Sequence, residues 1–261
     1  MRREVGNVSD RNVIISGGAG GAGRVIAARF ADAGAHVTVG DSDPAATQDF
    51  ARERPDILCK AMDAGDETAV DALFSLAEDR FGPVDVLINN VGIAGPTAAV
   101  EDVSLVDWDR SLRVNLTSQF LFVRRAVPKM KSLGRGVILN TSSGSAKTGL
   151  PLRLPYVVTK GAVLSMTMNL ARELGPSGIR VNAILPGAIR GDRIQRVIDA
   201  KAEALGVTPA EYETTLLRYV SLRTMVEPDD LADMAIFLAS DQGKRITGQM
   251  IGVDGNIEYE E

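Results

Sequence analysis

Two side chains four residues apart could do chemistry together: the phenol of Tyr156 and the ammonium of Lys160, in Pro155-Tyr-Val-Val-Thr-Lys-Gly161. On a helix, positions i and i+4 share a face. An ammonium beside a phenol favours the phenolate. A tyrosine in that setting can exchange a proton with an alcohol or a carbonyl near neutral pH. Ser143 stands thirteen residues before the tyrosine and adds a hydroxyl. The pair alone is weak, because Tyr-x-x-x-Lys is common in helices, where it is usually a half-buried tyrosine beside a solvated lysine. The surrounding elements decide between the two readings.

Short runs rich in Val and Ile alternate with longer amphipathic segments. The runs predict strands at 12–16, 36–40, 56–62, 84–89, 136–141, 179–185 and 249–253. Helical patterns cover 21–33, 45–53, 67–81, 105–131, 155–174, 192–205, 209–219 and 228–239. Such alternation predicts an α/β fold, a doubly wound parallel sheet of seven strands with helices on both faces. All 261 residues fit one domain. The stretch 187–226 inserts two short helices before the last helix and strand. Extra length at a strand's carboxyl end is where such sheets bind ligands, so this segment is expected to hold substrate.

Composition narrows the chemistry. Apolar residues make up 45%, but no apolar run is long enough to span a membrane. Net charge is −5, which gives nucleic acid no basic surface. The first residues, Met-Arg-Arg-Glu-Val-Gly-Asn, lack a signal peptide's apolar stretch, and a cytoplasmic protein is expected. One cysteine, Cys59, and one histidine, His36, leave little for a metal site or a Cys-His nucleophile. No metal is expected, and Cys59 reads as a small core residue. The chemistry falls to Ser, Tyr, Lys, Asp, Asn and a cofactor.

The cofactor end is explicit. Strand 12–16 runs into Ser16-Gly-Gly-Ala-Gly-Gly-Ala-Gly23, and a helix follows. Glycines let the backbone turn tightly against a pyrophosphate, and the helix start offers N–H groups and a positive dipole end. The second strand ends at Asp41, 24 residues after Gly17. An acid there suits a ribose diol and repels a 2′-phosphate. No Lys or Arg lies in the loop before Arg24 or just after Asp41. NAD is therefore expected over NADP. Asp43, before Pro44, reads as the cap of the next helix.

With these residues in view, the chain resembles the short-chain dehydrogenase/reductase family, in its form of about 250 residues, along almost its whole length. Ser16-Gly-x-x-x-Gly21-x-Gly23 is similar to the family's Thr-Gly-x-x-x-Gly-x-Gly, and Asn89-Asn-Val-Gly92 to its Asn-Asn-Ala-Gly. Asp63 matches its adenine-contacting aspartate, and Pro186-Gly187 its Pro-Gly turn. Asn115, Ser143, Tyr156 and Lys160 match its catalytic set. The resemblance implies a Rossmann-type fold and a homotetramer. It implies Tyr156 as acid/base, Lys160 lowering its pKa and holding the nicotinamide ribose, and Ser143 on the substrate oxygen. Asn115 would hold a relay water with Lys160. A cofactor groove is implied along Ser16, Gly17, Gly20, Gly21, Ala22, Gly23, Asp41, Ser42, Asp63, Ala64, Asn90, Val91, Gly92 and Thr141. Tyr156, Lys160, Pro186, Gly187 and Ile189 complete it. The family often has threonine where this chain has Gly191, so Arg190 or Arg193 is the candidate replacement for that hydroxyl.

The substrate end is less defined. Gly92–Pro96, 144–154 and 188–226 should border it. Ser145, Arg153 and Arg190 are candidate substrate contacts, because a guanidinium beside the reacting carbon suits a carboxylate or phosphate. Met225 and Trp108 read as packing residues. Three functions compete: NAD-dependent oxidation of a secondary alcohol on a small-molecule substrate, NADPH-dependent reduction of 3-oxoacyl thioesters, and non-catalytic nucleotide sensing. Asp41 counts against the second and the Ser-Asn-Tyr-Lys set against the third.

Overall fold

The computed structural model describes residues 7–257. The charged residues 1–6, on which the leader reading rests, and 258–261 lie outside the described residues. Seven parallel strands run in the order β3-β2-β1-β4-β5-β6-β7. They are β1 Asn12–Ser16, β2 His36–Asp41, β3 Leu58–Ala61, β4 Val86–Asn89, β5 Gly136–Thr141, β6 Ile179–Pro186 and β7 Met250–Val253. The order reverses between β1 and β4, so a crevice opens at their carboxyl ends.

Alternate residues face opposite layers, as strand geometry requires. Val13, Ile15, Val86, Ile88, Val137 and Leu139 pack with Ile26, Phe30, Phe50, Leu231 and Ile236. These come from α1 Gly21–Asp32, α2 Pro44–Glu53 and α10 Pro228–Ala239. Ile14, Leu87 and Ile138 face Leu73, Phe74, Phe122, Met130 and Leu174. That layer is α3 Glu67–Phe81, α5 Ser118–Leu133 and α7 Leu154–Leu174. Phe122 is fully buried and meets Phe74 edge-on at 5.9 Å between ring centroids. Phe122→Ala should cost about 3–5 kcal/mol of stability, read from chemical denaturation. A loss under about 1 kcal/mol would contradict this packing.

Most helix starts carry the signals their sequences promise. Asp43 accepts from Ala45 N and Ala46 N at 3.0 Å, with Pro44 opening α2. Thr208 and Glu211 form a capping box for α9 Pro209–Leu217, which follows α8 Asp192–Leu205.

Three expectations need correction. The third strand is shorter than 56–62, because Ile57 N–H closes a turn onto the Arg54 carbonyl. The fourth begins two residues late, at Val86. The helix over 105–131 is not continuous: α4 Leu105–Leu112 and α5 are joined by a π-helical turn, Arg113–Thr117. The helix α7 carries apolar residues on more than one side. Its buried stripe is Pro155, Thr159, Lys160, Val163, Leu164, Thr167, Ala171 and Leu174, while Val158 and Met168 are exposed.

A polar ladder crosses this core. Asn89 Nδ2 donates to Asn140 Oδ1 at 2.9 Å, Asn140 Nδ2 to Thr167 Oγ1 at 3.0 Å, and Thr167 Oγ1 to the Val163 carbonyl at 2.8 Å. It joins adjacent strands β4 and β5 to α7, the helix that carries Tyr156 and Lys160.

Candidate active site

The loop after β1 is built for close approach. Gly17 has φ +66, where a side chain is strained, and a Cβ there would lie 3.0 Å from Val91 Cγ2. A Cβ on Gly23 would lie 2.1 Å from the Gly17 carbonyl oxygen. Gly20 differs: a Cβ there meets no protein atom within 4 Å. Gly20 also stands at the start of α1, where it brings no capping side chain to the first-turn N–H groups. An open cradle of backbone donors at a helix start fits a pyrophosphate. Ser16 is fully buried, and its Oγ accepts from Asn90 N at 3.1 Å. Asn90 Nδ2 donates to the Gly17 carbonyl at 2.7 Å. These two residues therefore brace the cradle against β4.

Asp41 ends β2 beside the cradle. Its Oδ2 accepts from Ala19 N at 3.0 Å and its Oδ1 from Asp43 N at 3.1 Å. The carboxylate is thereby aimed at the glycine loop. Arg24, the first cation after the loop, turns toward α2. Its guanidinium lies 4.5 Å from the Phe50 ring centroid and pairs with Glu53. Asp63 accepts from Gly65 N at 2.8 Å and pairs with Arg113 at 2.8 Å. Arg113 is a partner of Asp63 that sequence reasoning did not single out.

Three of the predicted catalytic residues, Asn115, Tyr156 and Lys160, come together near Gly92. Lys160 is 3% exposed, and its Nζ donates to the Thr141 carbonyl at 2.8 Å. It lies 5.9 Å from the centroid of the Tyr156 ring. A Cβ on Gly92 would stand 3.1 Å from that Nζ, so glycine leaves the ammonium room. Asn115 sits fully buried in the π-helical turn. Its Oδ1 accepts from Ile93 N at 2.7 Å and its Nδ2 donates to Thr159 Oγ1 at 3.1 Å. Thr159 Oγ1 donates to the Tyr156 carbonyl at 2.8 Å, linking Asn115 to the tyrosine's own turn. Gln119 Nε2 donates to the Asn115 carbonyl at 3.1 Å and supports the widened turn. Thr159 and Gln119 are the supports the sequence reading missed. Their spacings, three residues from Tyr156 and four from Asn115, were the available signal.

The neighbouring serines separate. Ser142 is 2% exposed and donates to the Lys160 carbonyl at 2.7 Å, which is a structural task. Ser143 is half-buried, and its Oγ lies 2.9 Å from Ser145 Oγ. Pro186-Gly187 continues from β6, with Gly187 N donating to the Val253 carbonyl at 3.0 Å. Beyond it, Arg190 N and the Ala188 carbonyl both bond Val226, so the N–H and C=O of Ile189 point away from that partner. Arg190 pairs with Glu227 at 2.9 Å and with Glu213 at 3.5 Å, so its charge is matched within the protein. Arg153 donates to Thr97 Oγ1 at 2.7 Å and lies 5.9 Å from the Tyr156 ring centroid. The side chain of Arg193 lies outside the described ones. Met225 is buried and Trp108 half-buried, as packing residues should be. Cys59 is half-buried, and burial pushes its thiol up to about 11, which keeps it protonated and inert. No group of three or more His, Cys, Asp or Glu among the described residues could hold a metal ion. Nor is any described helix long and apolar enough to cross a membrane.

A doubly wound sheet, a glycine cradle and a Tyr-Lys pair at the carboxyl ends of the strands define a nucleotide-dependent oxidoreductase. Residues 17–256 match the family model described as Enoyl-(Acyl carrier protein) reductase. D-beta-hydroxybutyrate dehydrogenase of Rhizobium meliloti is 29% identical over 252 residues, covering 94% of this chain and 97% of that protein. 7alpha-hydroxysteroid dehydrogenase of Escherichia coli K12 is 34% identical over 246 residues, covering 93% and 92%. Among solved structures, 3-ketoacyl-(acyl-carrier-protein) reductase from Brucella melitensis, complexed with NADH, superposes with a TM-score of 0.84. It is 34% identical and covers 95% of this chain and 98% of its own. The chain belongs to the short-chain dehydrogenase/reductase family of oxidoreductases.

Proposed function

We propose that this chain interconverts a secondary alcohol and a ketone with NAD, using Tyr156 as the acid/base group. The observation that carries the reading is the buried Lys160 ammonium, held on the Thr141 carbonyl 5.9 Å from the Tyr156 ring and beside Asn115. Tyr156 as phenolate removes the hydroxyl proton of the alcohol; in the reverse direction the phenol returns it to the ketone. Ser143 donates to the substrate oxygen, and Asn115 with Lys160 sustains a water relay that carries the proton to solvent. When bound, the nicotinamide accepts the hydride from the carbinol carbon. Gly17, Gly20, Ala22 and Gly23 hold the pyrophosphate, Asp41 and Ser42 the adenosine ribose, and Asp63 with Ala64 the adenine. Asn90, Val91, Gly92, Thr141, Pro186, Gly187 and Ile189 line the nicotinamide end. Ser145, Arg153 and Arg190 border the substrate.

The D-beta-hydroxybutyrate and 7alpha-hydroxysteroid dehydrogenase names of two relatives support a hydroxyl-bearing substrate. The test is a panel of secondary alcohols, carboxylated and uncharged members paired, scored for NADH formation. Silence across the panel with both NAD and NADP would end the reading. One observation favours the substrate half of a second reading, an NADPH-dependent reductase of 3-oxoacyl thioesters: the 34% identity to the Brucella 3-ketoacyl-(acyl-carrier-protein) reductase, although that protein's complex holds NADH. Asp41 decides between the cofactors. Asp41→Ala should weaken NAD binding and raise the NADP/NAD ratio of kcat/KM by about tenfold, equivalent to about 1.4 kcal/mol. An unchanged ratio would remove Asp41 from that role. The exposed Val158 and Met168 of α7 support assembly into a homotetramer, and we assign the protein to the cytoplasm.

A further inference from the structure

We propose that Arg153 is a positioning residue that holds the Tyr156 ring in place for proton transfer, with Thr97 as its anchor. The inference rests on Tyr156 being the acid/base group. Tyr156 and Lys160 share one face of α7, and Arg153 stands just before the helix as its N-cap residue, three positions ahead of the tyrosine. The Arg153 guanidinium and the Lys160 ammonium each lie 5.9 Å from the Tyr156 ring centroid. Two cations, one at the helix start and one a turn into α7, therefore stand at the phenol ring.

Arg153 is itself held from outside that helix. Its Nη1 donates to Thr97 Oγ1 at 2.7 Å, across to the loop that follows β4. A second bond runs parallel to the first: Ala98 N donates to the Leu152 carbonyl at 3.0 Å. Leu152 carries φ +65, a strained setting for a branched side chain. Strain of that kind persists only where its surroundings fix it. Here the two cross-loop bonds fix Leu152 and Arg153, the two residues just before the helix start. Arg153 N also donates to the Leu150 carbonyl at 3.2 Å, and its own carbonyl accepts from Val157 N at 3.0 Å.

A tyrosine ring pivots about two side-chain torsions, and its hydroxyl, at the far end, moves most. Lys160 restrains the ring from one side only. A planar guanidinium can donate to Thr97 and pack against an aromatic ring at the same time; a lysine ammonium cannot combine those two contacts. Displacement of a reacting group by about 1 Å can cost about 10²-fold in rate. The bond from Arg153 to Thr97 thus sets the tolerance of the proton-transfer geometry, and Thr97 acts on the chemistry through Arg153.

The experiment compares Arg153→Met, Arg153→Lys, Thr97→Val and the Thr97→Val/Arg153→Met double variant, all full-length. It uses one carboxylated and one uncharged alcohol that the parent oxidises, and reads kcat, KM, NADH affinity by fluorescence, and melting temperature. Expected for Arg153→Met is a fall in kcat of about 10- to 100-fold with both alcohols. KM and NADH affinity should stay within about threefold. Thr97→Val should reproduce part of that fall, Arg153→Lys should not restore the parent kcat, and the double variant should be no slower than Arg153→Met alone. Parent-like kcat in Arg153→Met overturns the proposal. So does a loss confined to KM for the carboxylated alcohol, which would make Arg153 a substrate ligand, or strictly additive losses in the double variant. Should Arg153→Met not fold, Thr97→Val, a near-isosteric change, carries the same test. Failure of the underlying reading looks different: Tyr156→Phe would then keep its turnover whatever Arg153 does.

Discussion

Tyr156→Phe should lose about 10²- to 10⁴-fold in kcat while binding NADH as tightly as the parent. The substitution removes one oxygen and leaves the ring that Arg153 and Lys160 flank, each 5.9 Å from its centroid. The backbone bond from Thr159 Oγ1 to the Tyr156 carbonyl is untouched, so Asn115 keeps its support. What disappears is the group that moves the proton. Because ground-state binding does not use that proton, the effect falls on kcat rather than on cofactor affinity. Stopped-flow and steady-state kinetics with the best alcohol of the panel, together with an NADH titration, check it. Retained turnover would mean that another group carries the proton, and the assignment of roles around Lys160 would have to be rebuilt.

Gly23→Ala should weaken NADH binding by about 100-fold and lower the melting temperature. The added methyl would sit 2.1 Å from the Gly17 carbonyl oxygen and 2.6 Å from Asn90 Nδ2. Those two atoms belong to the bond that braces the cradle, at 2.7 Å. Either α1 retreats from the loop or that bond opens. Overpacking of this kind costs about 1–3 kcal/mol, and a loss of about 2.7 kcal/mol in binding corresponds to two decades in affinity. Gly20→Ala is the matched control. Its methyl meets no protein atom within 4 Å, so stability should hold while NADH binding weakens, because the methyl intrudes on the open cradle. Parent-like NADH affinity in both variants would show that the glycine loop does not hold the cofactor.

The sheet and its order were readable because buried parallel strands are continuous runs of Val and Ile, and because glycine and aspartate mark the turns and caps. Asp43, Pro44, Thr208 and Glu211 announce their helices in local chemistry alone. The break in 105–131 was not readable: the π-helical turn depends on Asn115 reaching Ile93 and Gln119 reaching the Asn115 carbonyl, contacts that no local propensity reports. The third strand was read too long because Asp56 and Ile57 are apolar-flanked but close a turn instead. Ser142 and Ser143 looked alike until the Lys160 carbonyl claimed one of them. Arg190 looked like a free cation for substrate, and it is matched by Glu213 and Glu227, which lie 23 and 37 residues away in the chain. Tertiary pairing, rather than residue type, decides such cases.

The ladder from Asn89 through Asn140 to Thr167 gives α7 a datum. Apolar side chains alone would let a helix creep along its axis by a fraction of a turn, since one methyl resembles another. The bond from Asn140 Nδ2 to Thr167 Oγ1, which crosses from β5 to α7, does not allow that, because an offset would leave the buried Asn140 amide without that partner. The helix is thereby indexed to the sheet like a part on a locating pin. Insertions or exchanges in 187–226 can reshape what enters the cleft while Tyr156 and Lys160 stay where the sheet puts them.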